Sequence, residues 1–164
     1  MKEQTLKVVE KLQGKGGESY SGNGRFGFRN PIRGDTSSLL YSLVLAAKPS
    51  RVLELGTAYG LSGIYIASAL KNGGTLDTIE FDPAVAKNAQ SNFIEAGLPV
   101  QVFTGDIAEV LSQLHGSYDC VFFDAEKKSY FTHLMLLRDL GLLADHALII
   151  ADNVIDRASE MQDF

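Results

Sequence analysis

The alternation of two kinds of segment after Gly34 constrains the fold of this chain most strongly. Short apolar runs, typical of buried strands, take turns with stretches that have helical periodicity. The runs are Arg51–Leu55, Thr75–Glu80, Val100–Phe103, Tyr118–Asp124 and Ala147–Ala151. The helical stretches are Asp35–Ala47, Leu61–Leu70, Pro83–Ala96, Ile107–Leu114 and Glu126–Leu140. This order predicts an α/β domain with a doubly wound, mainly parallel sheet.

The first, fourth and fifth runs are almost uniformly apolar, which predicts central strands covered on both faces. In open parallel sheets, ligands bind beyond the carboxyl ends of the strands. We therefore expect the functional residues to follow the strands directly.

The first 34 residues differ from the rest of the chain. A short N-terminal helix is predicted, with Leu6, Val9 and Leu12 on one apolar stripe. Seven glycines and four basic residues against a single Glu fill Gly14–Gly34, which favours a flexible, positively charged loop. We therefore divide the chain into an N-terminal helix and basic loop, 1–34, and a ligand-binding domain, 35–164.

Composition excludes several classes of protein. The formal charge of −5 disfavours a general binder of nucleic acid. The single cysteine, Cys120, excludes an intrachain disulfide framework and disfavours a thiolate zinc site. The N-terminus does not resemble a signal peptide, and no run reaches the roughly 20 apolar residues of a membrane span. We expect a soluble, cytoplasmic protein with no membrane partner.

The turn after the first run combines glycines with a carboxylate. Gly56 and Gly60 have G-x-x-x-G spacing, not the G-x-G-x-x-G of dinucleotide binders. Glu54 suits a cationic group such as an α-ammonium, and Glu80 could accept hydrogen bonds from ribose hydroxyls. Together they favour an adenosine-containing ligand with a positively charged tail, although a plain turn and a strand-end carboxylate would look the same. Asp106 could contact an adenine amino group, cap the next helix, or do both.

A second set of polar residues follows the fourth and fifth runs. If these strands are neighbours, Asp124 and Asp152-Asn153 end about 5 Å apart. A hard divalent cation would relieve the repulsion of the two carboxylates, and oxygen ligands suit Mg²⁺, Mn²⁺ or Ca²⁺ rather than zinc. The alternative is that the two Asp residues only cap loops. Lys127, one turn further on, could accept a proton near neutrality.

On these residues the chain resembles the class I S-adenosylmethionine (SAM)-dependent O-methyltransferases, in the metal-dependent group that includes caffeoyl-CoA and catechol O-methyltransferases. The motifs that carry the resemblance are VLELGTAYGLS (52–62), TIEFDP (78–83), TGD (104–106), YDCVFFDAEKKSY (118–130) and IIADN (149–153).

The resemblance implies a Rossmann-like fold and a role for each site residue. Around the methionine end of SAM it implies Glu54, Gly56, Tyr59, Gly60 and Ser62. It implies Glu80 at the ribose, Asp106 at the adenine and Asp124 beside the cofactor. Asp124, Asp152 and Asn153 would bind Mg²⁺ or a similar cation, and Lys127 would be the general base.

The implied reaction is methyl transfer to a hydroxyl of a catechol-like small molecule. Two alternatives stay open: a tRNA hydroxyuridine O-methyltransferase, which the basic loop favours, and a non-catalytic SAM-binding or interaction domain. The family pattern continues past Asp-Asn with a helix and two strands, whereas eleven residues follow Asn153 here. We therefore expect a sheet without those C-terminal strands, in which the fifth strand is an exposed apolar edge that a homodimer partner could cover.

Overall fold

The computed structural model describes residues 1–14, 34–160 and 164. Most of the predicted glycine-rich loop, residues 15–33, lies outside the described part. The helices are α1 (Glu3–Gly14), α2 (Gly34–Ala47), α3 (Leu61–Ala69), α4 (Pro83–Glu95), α5 (Ile107–Leu111) and α6 (Tyr130–Asp139). The strands are β1 (Arg51–Leu55), β2 (Thr75–Glu80), β3 (Val100–Thr104), β4 (Tyr118–Phe123) and β5 (Leu143–Ala151). Short 3₁₀ turns cover Lys127–Ser129 and Ala158–Glu160.

The five strands form one parallel sheet in the order β3-β2-β1-β4-β5. Leu55 of β1 is paired with Ile79 of β2 and with Phe123 of β4, and Phe123 is paired with Ala151 of β5. The carboxyl ends of these four strands therefore meet at one edge of the sheet. The predicted α/β class and parallel sheet are confirmed.

The fifth apolar run is not central. In the described chain β5 is an edge strand and most of its residues are only half-buried. The central place that the apolar pattern alone predicts is wrong, because an apolar run does not distinguish an interior strand from an edge strand whose faces are partly covered. The expectation that the fifth strand lies at the edge of a sheet without the family's C-terminal strands is confirmed. Its predicted neighbour, the fourth run, is correctly placed beside it.

Two apolar cores lie on opposite faces of the sheet, because alternate residues of each strand point to opposite sides. Val52, Cys120 and Phe122 pack on the face covered by α1 to α4. Leu53 and Phe123 pack on the other face, which α5 and α6 cover. Helices on both faces make the sheet doubly wound, as predicted.

Helix α1 packs into the first of these cores. Val8, Val9 and Leu12 are buried there, and Thr5 Oγ1 donates a hydrogen bond of 3.1 Å to the carbonyl of Ala96. Leu6, which belongs to the predicted apolar stripe, is 44% exposed and lies outside the buried face of α1. The buried face turns toward Thr5 and Val8 because α1 lies against α3 and α4. Helix α1 thus shares a core with the segment 35–164.

Several element ends differ from the prediction. Strand β5 begins at Leu143 rather than Ala147, because pairing resumes across an irregularity between Tyr118 and Cys120 of β4. The last predicted helix begins as a 3₁₀ turn, and α5 ends at Leu111. Among the described residues, none of the helices has the length and apolar character needed to cross a membrane.

Candidate functional site

The glycine turn joins β1 to α3 and lies tightly against the chain that follows β4. Gly56 has a φ of +103°, and its backbone N–H donates to the carbonyl of Ile79 at 3.0 Å. A Cβ atom added at Gly56 would lie 2.4 Å from the carbonyl oxygen of Asp124. Gly60, with a φ of +85°, caps α3 over the ring of Phe93. The turn therefore needs glycine for both its conformation and its close approach.

Glu54 lies deeper than its strand-end position suggests. Its side chain is fully buried. Ser62 Oγ donates to Glu54 Oε1 at 2.5 Å, and Thr78 Oγ1 donates to Glu54 Oε2 at 2.6 Å. The pKa of Glu54 is raised to about 8, mainly by burial. The two hydrogen bonds lower it and the charges of Asp124 and Glu80 raise it, within that value.

Glu80 ends β2 and faces the same turn. Its Oε2 accepts a hydrogen bond of 2.9 Å from the backbone N–H of Ala58, and its Oε1 accepts one of 3.1 Å from that of Asp82. The side chain is 3% exposed, so its position is fixed by backbone groups on both sides. Each carboxylate oxygen can accept more than one hydrogen bond, which keeps the predicted ribose contact chemically open.

Two further residues of the predicted cofactor site lie at helix starts or in the turn. Asp106 Oδ1 accepts hydrogen bonds from the backbone of Ala108 and Glu109, so it caps α5, one of the two roles weighed from the sequence. Tyr59 is half-buried in the glycine turn, where its carbonyl accepts a 3.0 Å hydrogen bond from Asn92 Nδ2.

The second polar group follows β4. Lys127 Nζ lies 3.0 Å from Asp124 Oδ1 and 2.7 Å from the hydroxyl oxygen of Tyr130. The pKa of Asp124 is raised to about 6 as the net result of burial, which raises it most, the contact with Lys127, which lowers it, and the charge of Asp152, which raises it. Tyr130 is fully buried. The 3₁₀ turn over Lys127–Ser129 brings the lysine back over the end of β4.

Asp152 and Asn153 extend the same edge from β5. The backbone N–H of Asp152 donates to the carbonyl of Phe123 at 3.0 Å, so Asp152 and Asp124 follow directly on a pair of neighbouring strands. Asp152 Oδ1 accepts from the backbone N–H of Asn153, whose φ is +60°. The condition set by the sequence argument, that these strands be neighbours, is met.

The donor set at this edge fits a hard divalent cation. Two carboxylates and one side-chain amide could supply the oxygen ligands that such cations prefer. Among the described residues there is no group of three or more His, Cys, Asp and Glu side chains that could hold a metal ion. The set at this edge contains only two such side chains, because its third member, Asn153, is an amide.

Sequence reasoning missed the residues beneath the turn. Thr78 is buried and links Glu54 to Thr57, whose hydroxyl lies 2.6 Å away. Phe93 forms the floor under Gly60 and Gly63. The register of β1 and β2 is the signal that identifies Thr78, because Thr78 is paired with Glu54 across these two strands. Nothing in the sequence marks Phe93 as more than a core residue.

Comparison with known proteins decides the family. A family model described as O-methyltransferase matches residues 30–162. The chain belongs to the O-methyltransferase family. A catechol O-methyltransferase from Niastella koreensis is 40% identical over 132 residues, which make up 77% of this chain and 58% of that protein. A catechol O-methyltransferase from Bos taurus is 38% identical over 115 residues, or 66% of this chain and 42% of that protein.

Solved structures of O-methyltransferases share the fold. The structural match to the O-methyltransferase from Bacillus cereus in complex with S-adenosylhomocysteine (SAH) covers all of this chain and 77% of that protein chain, with 25% identity and a TM-score of 0.79. The O-methyltransferase TomG from Streptomyces achromogenes in complex with SAM gives 26% identity and a TM-score of 0.77, over 100% of this chain and 71% of its own. The Rossmann-like methyltransferase fold is confirmed. This chain spans about half the length of the curated relatives that it matches.

Proposed function

We propose that this chain is a SAM-dependent O-methyltransferase that methylates a hydroxyl of a catechol-like small molecule. The observation that carries the proposal is the contact of Lys127 Nζ with Asp124 at the edge where Asp152 and Asn153 also end. The glycine turn lies directly against this edge, through the close approach of Gly56 to Asp124. Catechol O-methyltransferases among the relatives, and SAM or SAH in related structures, support the same reading.

The glycine turn and the end of β2 would hold the cofactor. When bound, SAM supplies an electrophilic methyl group on a sulfonium. Glu80 would accept hydrogen bonds from the ribose hydroxyls, since backbone N–H groups already hold its carboxylate in place. Ser62 and Tyr59 would lie at the amino-acid end, and Asp106 would lie near the adenine. Gly56 and Gly60 keep this surface free of side chains.

The edge after β4 and β5 would hold the acceptor. Asp124, Asp152 and Asn153 would bind Mg²⁺, or Mn²⁺ or Ca²⁺ in its place, and such a cation lowers the pKa of a hydroxyl bound to it. Lys127 Nζ would accept the hydroxyl proton. Tyr130 and Asp124 hold this amine between them, so that it is positioned before an acceptor arrives.

Methyl transfer from SAM to catechol in Mg²⁺ buffer, followed by SAH formation, tests the proposal. Lys127→Met should lower the rate by about 10²- to 10⁴-fold, the usual contribution of a positioned base. Lys128→Met is the matched control, because Lys128 is the exposed neighbour and should leave the rate unchanged. Chelation of the divalent cation should also abolish turnover.

Two outcomes would contradict the proposal. Equal rates for the two lysine variants would remove Lys127 from the reaction. SAH binding without methylation of any catechol would favour a SAM-binding domain without this activity. A parallel assay with tRNA as acceptor separates the RNA alternative, because RNA binding would weaken steeply with salt.

A further inference from the structure

Glu54 is enclosed beneath the proposed cofactor site rather than open to it. The side chain is 0% exposed. Its two oxygens accept from hydroxyls on different elements, Ser62 of α3 and Thr78 of β2. A Cβ added at Gly63 would lie 3.0 Å from Glu54 Oε2, so α3 approaches the carboxylate closely. One buried carboxylate therefore ties together β1, β2 and the first turn of α3.

The hydrogens of this network can be counted. Each Ser or Thr hydroxyl has one hydrogen to donate, and an ionised carboxylate only accepts. When Glu54 is ionised, Ser62 and Thr78 each donate their only hydroxyl hydrogen to its carboxylate. Thr57, 2.6 Å from the Thr78 oxygen, must then donate to Thr78. In that state Ser62 can offer a ligand only its oxygen lone pairs.

The count changes when Glu54 carries a proton. The carboxyl group must then donate to one of its two hydroxyl partners, so the direction of the network is no longer unique. Whenever Ser62 receives that hydrogen, its own hydrogen turns away from Glu54. The protonation state of Glu54 thus decides whether Ser62 presents an acceptor alone or a mixture of donor and acceptor.

We propose that Glu54 is a positioning residue that fixes the direction of the Ser62 hydroxyl toward the amino-acid end of the cofactor, without touching the cofactor itself. The inference rests on the proposed function, because it places an S-adenosyl ligand at the glycine turn. An ionised Glu54 makes Ser62 an acceptor, which complements the α-ammonium of that ligand. This replaces the direct contact between Glu54 and the ammonium that the sequence suggested.

The surroundings of Glu54 place its ionisation in an accessible range. Its pKa is raised to about 8, mainly by burial and in part by two charged groups, Asp124, after β4, and Glu80, at the end of β2. The elements packed against it from the helical side contribute the uncharged Ser62 and the ring of Phe93. A change of pH across the neutral range therefore converts the mixed network into the directed one.

Two ligands separate this role from a general effect on binding. SAH carries the amino-acid end, whereas 5′-methylthioadenosine has the same nucleoside without it. Calorimetric affinities for both would be measured at about pH 6.5 and about pH 9, on the two sides of the Glu54 pKa. The ratio of the two affinities isolates the amino-acid end. Titration of the ammonium of SAH itself is common to every variant.

Glu54→Gln is the first variant, because its amide cannot ionise. The measured quantity is the ratio of the affinity for SAH to the affinity for 5′-methylthioadenosine. From about pH 6.5 to about pH 9 we expect this ratio to rise about tenfold more in the unaltered chain than in Glu54→Gln, which corresponds to about 1.4 kcal/mol. Ser62→Ala, which removes the hydroxyl itself, should lose the same pH-dependent rise. Ser68→Ala is the control in the same helix, since its buried hydroxyl makes no hydrogen bond among the described residues. It should behave as the unaltered chain.

Each outcome decides the matter. If Glu54→Gln melts at a lower temperature but keeps the pH-dependent preference for SAH, Glu54 has only a structural role and the inference is overturned. If Glu54→Gln does not fold, Ser62→Ala decides alone: an unchanged preference overturns the inference, and a flat one supports it. A chain that binds neither nucleoside refutes the proposed function and with it this inference, whereas binding of both with identical profiles in all variants refutes the inference alone.

Discussion

The hydroxyl of Tyr130 accepts a hydrogen bond from Lys127 Nζ at 2.7 Å and donates its only hydrogen to the carbonyl of Phe123 at 2.9 Å. Tyr130 is fully buried, and burial raises the pKa of its hydroxyl far above neutrality, so this hydrogen stays in place. The oxygen can then only accept from the lysine. A neutral Lys127 that donates to Tyr130 and Asp124 has used both of its hydrogens, and its lone pair points away from them.

Tyr130→Phe should therefore weaken catalysis without emptying the site. Loss of one hydrogen bond to the amine corresponds to roughly 1 kcal/mol, so we expect about a fivefold to tenfold fall in kcat. The affinity for SAH should not change, because Tyr130 lies on the acceptor side. Steady-state rates and calorimetry measure the two effects. An unchanged kcat would show that Lys127 needs no support from Tyr130.

Tyr118→Phe is the companion to that variant. Tyr118 is also fully buried, but it lies at the opposite end of β4, where its hydroxyl donates to Asp77 Oδ2 at 2.7 Å and Arg51 stacks over its ring. We expect a loss of about 1 kcal/mol in the free energy of unfolding and no change in kcat. Denaturant titration measures the first quantity. A fall in kcat here would mean that loss of any buried hydroxyl disturbs the site.

Gly56→Ala should prevent stable folding of the turn. The new Cβ would lie 2.4 Å from the Asp124 carbonyl oxygen, in addition to the cost of a positive φ. Gly73→Ala isolates that cost, because Gly73 has a φ of +87° and a Cβ added there would meet no atom within 4 Å. We expect Gly73→Ala to lower the free energy of unfolding by about 1–2 kcal/mol, and Gly56→Ala to lower it by clearly more. Similar melting temperatures for the two variants would contradict the close approach.

Glu80→Gln should weaken SAH binding. The amide keeps one oxygen acceptor but loses the charge and the second acceptor that the ribose hydroxyls would use. Hydrogen bonds to charged groups contribute roughly 1.5–3 kcal/mol, so a loss of about tenfold to a hundredfold in affinity is expected. Asp82→Asn, two residues on, is the control, since Asp82 caps α4 and takes no part in the proposed contact. Equal affinities for the two variants would remove Glu80 from the cofactor site.

Glu54 also makes a prediction about stability against pH. Its pKa is about 8 in the folded chain and 4.5 ordinarily, so the folded state holds the proton more tightly than the unfolded state. Between these two values the folded state binds more protons, and this group makes the free energy of unfolding fall as pH rises. The difference in stability between Glu54→Gln and the unaltered chain should therefore shift in favour of the variant from pH 5 to pH 9. Chemical denaturation at the two pH values measures it, and a constant difference would contradict a raised pKa.

The sequence predicts the elements of this fold well and their places in the sheet less well. The helix predicted over Pro83–Ala96 begins at Pro83 in the structure, where Asp82 caps it. The apolar run of β5 by itself indicated a central strand, and only the expected lack of the family's C-terminal strands placed it at the edge, where it lies in the described sheet. The burial of a strand depends on the elements that pack beside it, and the local sequence of the strand does not specify those elements.

The candidate site shows the same division. The residues that follow the strands could be found from the rule that ligands bind at the carboxyl ends, and the pairing of β4 with β5 brings Asp124 and Asp152 to one edge. The depth of Glu54 could not be predicted, because it depends on Ser62 and Thr78 closing over both of its oxygens. Hydrogen-bond partners distant in sequence become visible only once register and packing are known.

The contact between Gly56 and the Asp124 carbonyl has a consequence for how such a domain can diversify. Backbone meets backbone there, and no side chain fits between the two segments. The distance between the glycine turn and the segment that carries Asp124 is consequently set by main-chain packing. Substitutions in the surrounding loops can therefore change which molecules bind at the proposed cofactor and acceptor sites, while the distance between the two backbone segments stays constant.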